Sequence, residues 1–512
     1  MRMSNVKASA TAILTLVGVL SAQVTNQFPV KRPESAETWR RDGWNAVEKA
    51  KKEKVRKGKA KNVILFIGDG MGVSTLTAAR IFEGQMRGES GEENRLSFEE
   101  FPYSALSKTY SANQQTSDSA PTMSAIISGV KTDEGILSVN QNVQHANYKT
   151  VAGNETKTLL EYAEEAGKST GIISTARLTH ATPGACYAHT ADRDWESDAD
   201  IFARSKDAYE AKFPDIARQM LEMKYGDGLE VALGGGRSKY LPKETADPEY
   251  PNRKGERLDS RDLTKEWTAK YRDSAYIWNQ QQFDAIDAKK TKHLLGLFEP
   301  SYMKYEQDRS KDAGGEPSLA DMTSKAIDVL ANNKKGYFLM VEGGRIDHAH
   351  HDGNAYRALK DTVALSDAVR KAVSKVNLDD TLIVVTADHS HTLVIQGYPG
   401  RGNNIVGLVR EIGNDGEMEA DFKVDRNKKP YTTLSYANGL GAVSGERPTL
   451  TEEAVTNPDF KQQALIPFSA ETHGGEDVAI FATGVNAHLI RGSMEENWIF
   501  YVMADALRLG KK

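Results

Sequence analysis

Short apolar runs recur along this chain, at residues 62–67, 170–175, 229–233, 337–341, 381–386 and 478–481. They do not alternate with polar residues, so each predicts a strand buried on both faces, as in a parallel sheet. Between them lie stretches with apolar residues three or four apart. Leu319, Met322, Ala326, Val329 and Leu330 share a face over 318–331. Leu359, Val363, Val369, Val373 and Val376 do so over 354–376. A further helix closes the chain at 497–507. Strands alternating with amphipathic helices predict an α/β fold of three layers, a mostly parallel central sheet between helices. Two stretches break the rhythm. Residues 240–305 carry Pro242, Pro248, Pro251 and Pro300 and read as an insertion or subdomain. Residues 396–467, rich in Gly and Asn, read as inserted. Ahead of the body, residues 35–57 predict a charged helix with Trp39, Trp44 and Val47 at helical spacing.

The first residues follow another pattern. Arg2 and Lys7 flank the start of an apolar stretch at 8–20 that ends in Ser21-Ala22, which predicts an export signal over residues 1–22. The stretch is short for a membrane span. Residues 507–512 carry no apolar tail for a lipid anchor. The 512 residues are 39% hydrophobic and 27% charged, with a net charge of −5. That is ordinary for a soluble globular protein and gives no footing for nucleic acid or an anionic membrane. The single cysteine, Cys186, excludes an intramolecular disulfide and predicts a small buried hydrophobe.

Chemistry gathers where the apolar runs stop. The run 337–341 gives way to Glu342, a Gly pair, and then Asp347, His348, His350 and His351. The run 62–67 ends in Gly68-Asp69-Gly70, and 381–386 ends in Ala387-Asp388-His389-Ser390-His391. Glu471-Thr472-His473 precedes the last strand. Ligands of open parallel sheets bind beyond the carboxyl ends of the strands. Asp69, Glu342, Asp347, His351, Asp388, His389 and His473 therefore predict one site. Mixed imidazole and carboxylate sets suit two Zn²⁺ ions, and an all-oxygen set with the Thr182 hydroxyl suits one Mg²⁺. Taken singly, several of these residues have plainer readings. Asp69 can stabilise a turn, Ser119 can be a simple N-cap ahead of Pro121, and Arg193 is as readily a surface ion pair as a phosphate clamp. Together they predict phosphoryl transfer. Paired metals about 4 Å apart clamp the attacking and leaving oxygens of an in-line displacement. Ser119 would attack, Arg193 would hold two phosphoryl oxygens in its planar fork, and water would finish the reaction.

These motifs, in this order, resemble the alkaline phosphatases, and specifically their animal-type branch. The resemblance is carried by Asn62-Val63-Ile64-Leu65-Phe66-Ile67-Gly68-Asp69-Gly70-Met71-Gly72, Asp118-Ser119-Ala120, Glu342-Gly343-Gly344-Arg345-Ile346-Asp347-His348, Thr386-Ala387-Asp388-His389-Ser390-His391 and Glu471-Thr472-His473. It extends from about Trp39 to about Ala506. It implies broad-specificity hydrolysis of phosphate monoesters at alkaline pH, through a phosphoserine at Ser119. It places Asp118, Arg193, His180 and His348 around the substrate, the two histidines standing where some bacterial relatives have Asp and Lys. It puts Asp347, His351 and His473 on one zinc, Asp69, Asp388 and His389 on the other, and Asp69, Thr182 and Glu342 on magnesium.

The resemblance further implies a catalytic domain over 60–507 and a crown-like inserted region over 396–467. It implies a homodimer held by the 35–57 helix and by Tyr398 in Gly397-Tyr398-Pro399. A calcium site is implied at Glu249, the Phe298 carbonyl, Glu299 and Glu316, with Glu316 standing where the family usually has Asp. Two departures shape the expectation: one cysteine cannot form the disulfides of animal relatives, and their lipid-anchor tail is missing. The expected protein is a soluble, exported, bacterial-type enzyme without a membrane anchor, periplasmic ahead of secreted. A diesterase or sulfatase of the same superfamily would share the metals, but Asp118-Ser119-Ala120-Pro121-Thr122 is not the sulfatase motif. A non-catalytic phosphate- or metal-binding protein would lack the nucleophile or a ligand, and none is missing.

Overall fold

The computed structural model describes residues 28–30 and 34–510, so the leader expected at 1–22 lies outside the described residues. A ten-stranded sheet forms the centre. Eight of its strands are β1 (Asn62–Ile67), β2 (Tyr103–Lys108), β3 (Ser169–Arg177), β4 (Val231–Gly235), β5 (Ser274–Ile277), β6 (His293–Leu297), β7 (Tyr337–Glu342) and β8 (Thr381–Thr386). The order across the sheet is Gly492–Glu495, β2, Val478–Gly484, β8, β1, β7, β3, β4, β6, β5. Within it, Val478–Gly484 runs antiparallel to both its neighbours and the other pairs are parallel.

β1, the first strand in sequence, lies in the middle, and its successive residues feed opposite cores. Val63, Leu65 and Ile67 pack in the core that includes helices Ser119–Ser128 and Trp498–Leu507. Ile64 and Phe66 pack in the core that includes helices Val73–Met86, Leu319–Leu330 and Ala355–Lys375. Every residue of β1 is buried. Helices on both faces are why the run is continuously apolar rather than alternating.

The strands that sequence patterning misses lie toward the two edges of the sheet. β2 and Gly492–Glu495 are partly exposed and polar. β5 spans four residues, only one of them buried. Residues 240–305, expected as an insertion, carry β5 and β6 and so extend the main sheet. Their prolines fall at 242, 248, 251 and 300 and leave 274–297 free to pair. The 35–57 segment is helical over Ala36–Lys52, started by a Ser35–Thr38 capping box, and buries none of its own residues.

Residues 396–467 are mostly irregular. They contribute Leu434–Gly439 and Ala464–Pro467 to a three-stranded sheet with Leu393–Ile395. A separate pairing of Ser390–His391 with His473–Gly474 sets His473 opposite His391. Cys186 is fully buried, as expected, and burial pushes its thiol well above the usual range.

Candidate active site

Strand register assembles the site. Ile67 of β1 is level with Glu342 of β7 and with Thr386 of β8. The three strand ends are therefore flush, and the residues beyond them converge. Ser174 of β3 is level with Glu342 and donates to its Oε2. Gly70 has a φ of +68°, and a Cβ there would fall 2.4 Å from the His391 ring, so only glycine fits. After β7 the chain enters the helix Arg345–His351, which puts Asp347 and His351, one turn apart, on the same face. His350 leaves in another direction and meets the Tyr436 hydroxyl at 2.7 Å and Thr75 Oγ1 at 3.0 Å.

Asp347 Oδ1 lies 3.2 Å from His351 Nε2, 2.8 Å from His391 Nε2 and 3.4 Å from His473 Nε2. His351 turns its Nδ1 to the Glu471 carbonyl at 2.6 Å, and His473 turns its Nδ1 to the Ser117 carbonyl at 2.8 Å. A carbonyl only accepts, so in the neutral rings each Nδ1 carries the proton and each Nε2 presents a lone pair. The two Nε2 atoms face each other at 3.1 Å. Two lone pairs and a carboxylate aimed at one point fit a cation.

A second group surrounds His389. Its Nε2 lies 3.4 Å from Asp69 Oδ1 and 3.6 Å from Asp388 Oδ2. Ser119 Oγ sits 3.1 Å from the same nitrogen and 3.4 Å from Asp69 Oδ1. A third group joins Asp69 to Glu342 and His180. Asp69 Oδ2, Glu342 Oε1, Thr182 Oγ1 and Asp388 Oδ2 are buried without a hydrogen-bond partner. Burial, then the charges of Asp388, Asp347 and Glu342, pushes Asp69 well above the carboxylate range. Burial and the Asp388 and Asp347 carboxylates push Glu342 up to about 7. Burial and Asp347 push Asp388 up to about 6. Carboxylates this crowded are costly without positive charge among them. The residues present fit two mixed imidazole–carboxylate sites and one oxygen-rich site, with Asp69 common to two of them.

The side expected to take phosphate is built from the helix Ser119–Ser128, whose residues are all buried. Its N-cap, Asp118, makes no capping bond with its side chain. The Asp118 carboxylate instead accepts from Arg193 Nη1, while Arg193 Nη2 meets His180 Nε2 at 3.2 Å. Burial opposes ionisation of Asp118, but the Arg193 guanidinium wins and holds it below the usual range. The Arg193 side chain is 17% exposed, which decides against a surface ion pair. His180 and His348 face each other at 5.4 Å and both pack on Tyr302, at 5.9 and 4.0 Å.

The alkaline phosphatase family profile matches residues 60–509. The chain belongs to the alkaline phosphatase family. Its hydrolytic substrates are phosphate monoesters. It is 42% identical over 504 residues to the rat tissue-nonspecific alkaline phosphatase isozyme, covering 97% of this chain and 93% of that one. It is 43% identical over 492 residues to an Atlantic cod (Gadus morhua) alkaline phosphatase, covering 94% and 99%. Solved bacterial structures share the fold. The alkaline phosphatase of the Antarctic bacterium TAB5 aligns with a TM-score of 0.59 at 20% identity, over 89% of this chain and all of that one. That of Thermus thermophilus aligns at 0.62 and 22%, over 90% and 94%.

In this alkaline phosphatase Asp347, His351 and His473 come together, as do Asp69, Asp388 and His389, and Asp69 with Glu342, while Asp118, Arg193, His180 and His348 adjoin one another and Thr182 Oγ1 is buried without a hydrogen-bond partner. Sequence reasoning left His391 and Glu471 without roles. Glu471 accepts from His391 Nδ1 at 2.5 Å and from Thr392 N and Oγ1 at 2.6 Å each, so it fixes the ring that fixes Asp347. The available signal was His391 two residues beyond His389. Tyr302, which backs both histidines of the phosphate side, gave no signal.

The calcium expectation gains one residue. Glu249 and Glu299 come together with Asp312. Glu316 lies beside the group, with its Oε1 taken by the Lys304 N–H at 2.8 Å. Burial, then Glu299 and Asp312, pushes it up to about 9. Lys304 Nζ pairs with Glu299 at 2.6 Å and Arg237 with Glu249 at 3.0 Å.

Proposed function

We propose that this phosphatase works through a phosphorylated Ser119 at a site for two Zn²⁺ and one Mg²⁺. One observation carries the reading. Ser119 Oγ, at the start of a buried helix, meets the Asp69–His389 pair, while the preceding residue, Asp118, anchors Arg193. Asp347, His351 and His473 would hold one zinc, Asp69, Asp388 and His389 the other, and Asp69, Thr182 and Glu342 the magnesium. When bound, such ions offset the carboxylate charge, lower the pKa of a hydroxyl or water, and stabilise the entering and departing oxygens.

The chain's own groups do the rest. Arg193, pinned by Asp118 and His180, takes two phosphoryl oxygens in its fork. The helix N-terminus favours the same negative charge. Ser119 Oγ attacks phosphorus; the Oγ–P bond forms as the ester P–O bond breaks, and the alcohol leaves with the serine proton. Water then attacks phosphorus, the Oγ–P bond breaks, and a proton returns to Ser119 as phosphate leaves. Two in-line displacements give net retention. Transfer from a chiral phosphate monoester to an acceptor alcohol should retain configuration, and inversion would exclude the covalent route.

Three further readings attach to this function. The helix Ala36–Lys52, with Trp39 51% and Trp44 69% exposed, and Tyr398, 85% exposed, supply surfaces for a homodimer. The 8–20 apolar stretch supports export, to the periplasm ahead of full secretion, and no helix among the described residues is long and apolar enough to cross a membrane. Light scattering on the mature protein should give twice the chain mass, with an N-terminus after Ala22; a monomer that retains Met1 would contradict both. Glu249, Glu299 and Asp312, with the Phe298 carbonyl, supply the hard oxygens of a calcium site. A calcium-selective chelator should lower the melting temperature while zinc stays bound. Glu299→Gln with Asp312→Asn should remove that response; unchanged calcium content in the double variant would rule the site out.

A further inference from the structure

His189 belongs to none of these sets, yet its ring sits where the nucleophile helix and the arginine segment meet. Residues 190–193 run alongside 135–138. Leu137 and Thr190 exchange backbone bonds of 3.1 Å, and the Arg193 N–H donates to the Gly135 carbonyl at 2.8 Å. Ser138 ends this ladder with a φ of +45°, which serine adopts only when its surroundings enforce it. The Ser138 N–H donates to Ser124 Oγ at 2.9 Å, and that hydroxyl donates to the Ala120 carbonyl at 2.7 Å, one residue beyond Ser119.

The His189 ring closes the arrangement. Nδ1 meets the Ser138 carbonyl at 2.7 Å, and Nε2 meets Glu161 Oε1 at 2.8 Å. Both partners only accept, so the ring satisfies both only as an imidazolium. Glu161 is itself fixed, because its Oε2 accepts from the Thr158 N–H at 2.9 Å in a capping box. Gln219 holds the His189 backbone N–H at 2.9 Å.

We propose that His189 is a positioning residue: its imidazolium clips the Arg193 segment to the Ser119 helix through Ser138, and loss of one proton leaves the ring a single donor for two acceptors and weakens the clip. The inference rests on reading Arg193 as the phosphate clamp. Burial opposes the charge, but the Glu161 carboxylate and the Ser138 carbonyl raise the ring above the ordinary imidazole value. A raised histidine keeps its contact below its pKa and loses it as the pH rises through that value, so the clip weakens on the alkaline side. Glu155, Glu161, Tyr187, Glu222, Lys224 and Tyr225 are the titratable groups facing it, around a cavity of about 520 Å³ that admits solvent protons.

The test uses inorganic phosphate as a competitive inhibitor of the holoenzyme, from neutral to alkaline pH, with each affinity expressed for the phosphate dianion. In Glu161→Gln the amide can accept from the Thr158 N–H and donate to a neutral His189, so the clip no longer needs the imidazolium. Wild type should show an ionisation step in phosphate affinity that Glu161→Gln lacks. His189→Asn keeps a donor for Ser138 but loses Glu161; it should weaken phosphate roughly five- to tenfold at neutral pH and also lack the step. Ring nitrogen shifts should report an imidazolium at neutral pH. The same step in all three proteins, a neutral ring at neutral pH, or unchanged affinity in His189→Asn overturns the proposal. Phosphate that fails to compete in wild type overturns the reading of Arg193, and the clip with it.

Discussion

Ser119→Ala is expected to lower kcat by a factor on the order of 10⁴–10⁶, the scale lost when a covalent nucleophile is removed. The substitution deletes one oxygen from a side chain that is 2% exposed, so the helix Ser119–Ser128 keeps its packing. Asp69 and His389 lose a neighbour but keep each other. Metal content and melting temperature should therefore match the parent, and the residual rate should come from direct attack of water on a phosphate still held by Arg193. Steady-state kinetics on an aryl phosphate, with elemental analysis of the same sample, reads both parts. Parent-like turnover would remove Ser119 from the reaction.

Asp69→Asn should act in the opposite way, through charge. Asp69 is common to two of the carboxylate groups and lies among Glu342, Asp347 and Asp388. Replacing it leaves the shape and removes one buried negative charge. The variant should lose zinc and magnesium together, and with them about 3–4 kcal/mol of transition-state stabilisation, on the order of 10²–10³ in kcat. The metal-free protein should respond in the other direction. One carboxylate fewer relieves repulsion, so the apo variant should melt above the apo parent, while added metal should raise its melting temperature less. Calorimetry with and without a chelator measures both. An apo variant that melts below the apo parent would show that Asp69 is held by contacts rather than strained by charge.

Much of this was legible in the chain because burial and chemistry are written side by side. β1, β7 and β8 are buried throughout and mostly apolar because both faces are covered, and the candidate site residues stand at or just beyond their ends. What the chain hides is pairing. Nothing local shows that Ile67, Glu342 and Thr386 stand level, although that register makes one site of three strand ends. The role of His391 depends on its facing His473 across two short strands. β5 escapes notice because its residues are mostly half-exposed and carry no apolar run. Asp312 escapes notice for a similar reason: nothing local shows that its oxygen reaches Glu249 and Glu299.

Covalent phosphorylation of Ser119 is the claim on which the mechanism stands. Enzyme turning over a labelled phosphate monoester can be quenched in acid, digested and mapped. The account predicts stoichiometric label on the peptide that contains Asp118-Ser119-Ala120, and none in Ser119→Ala. Label on another residue, or full turnover with no trapped phosphate, would contradict it.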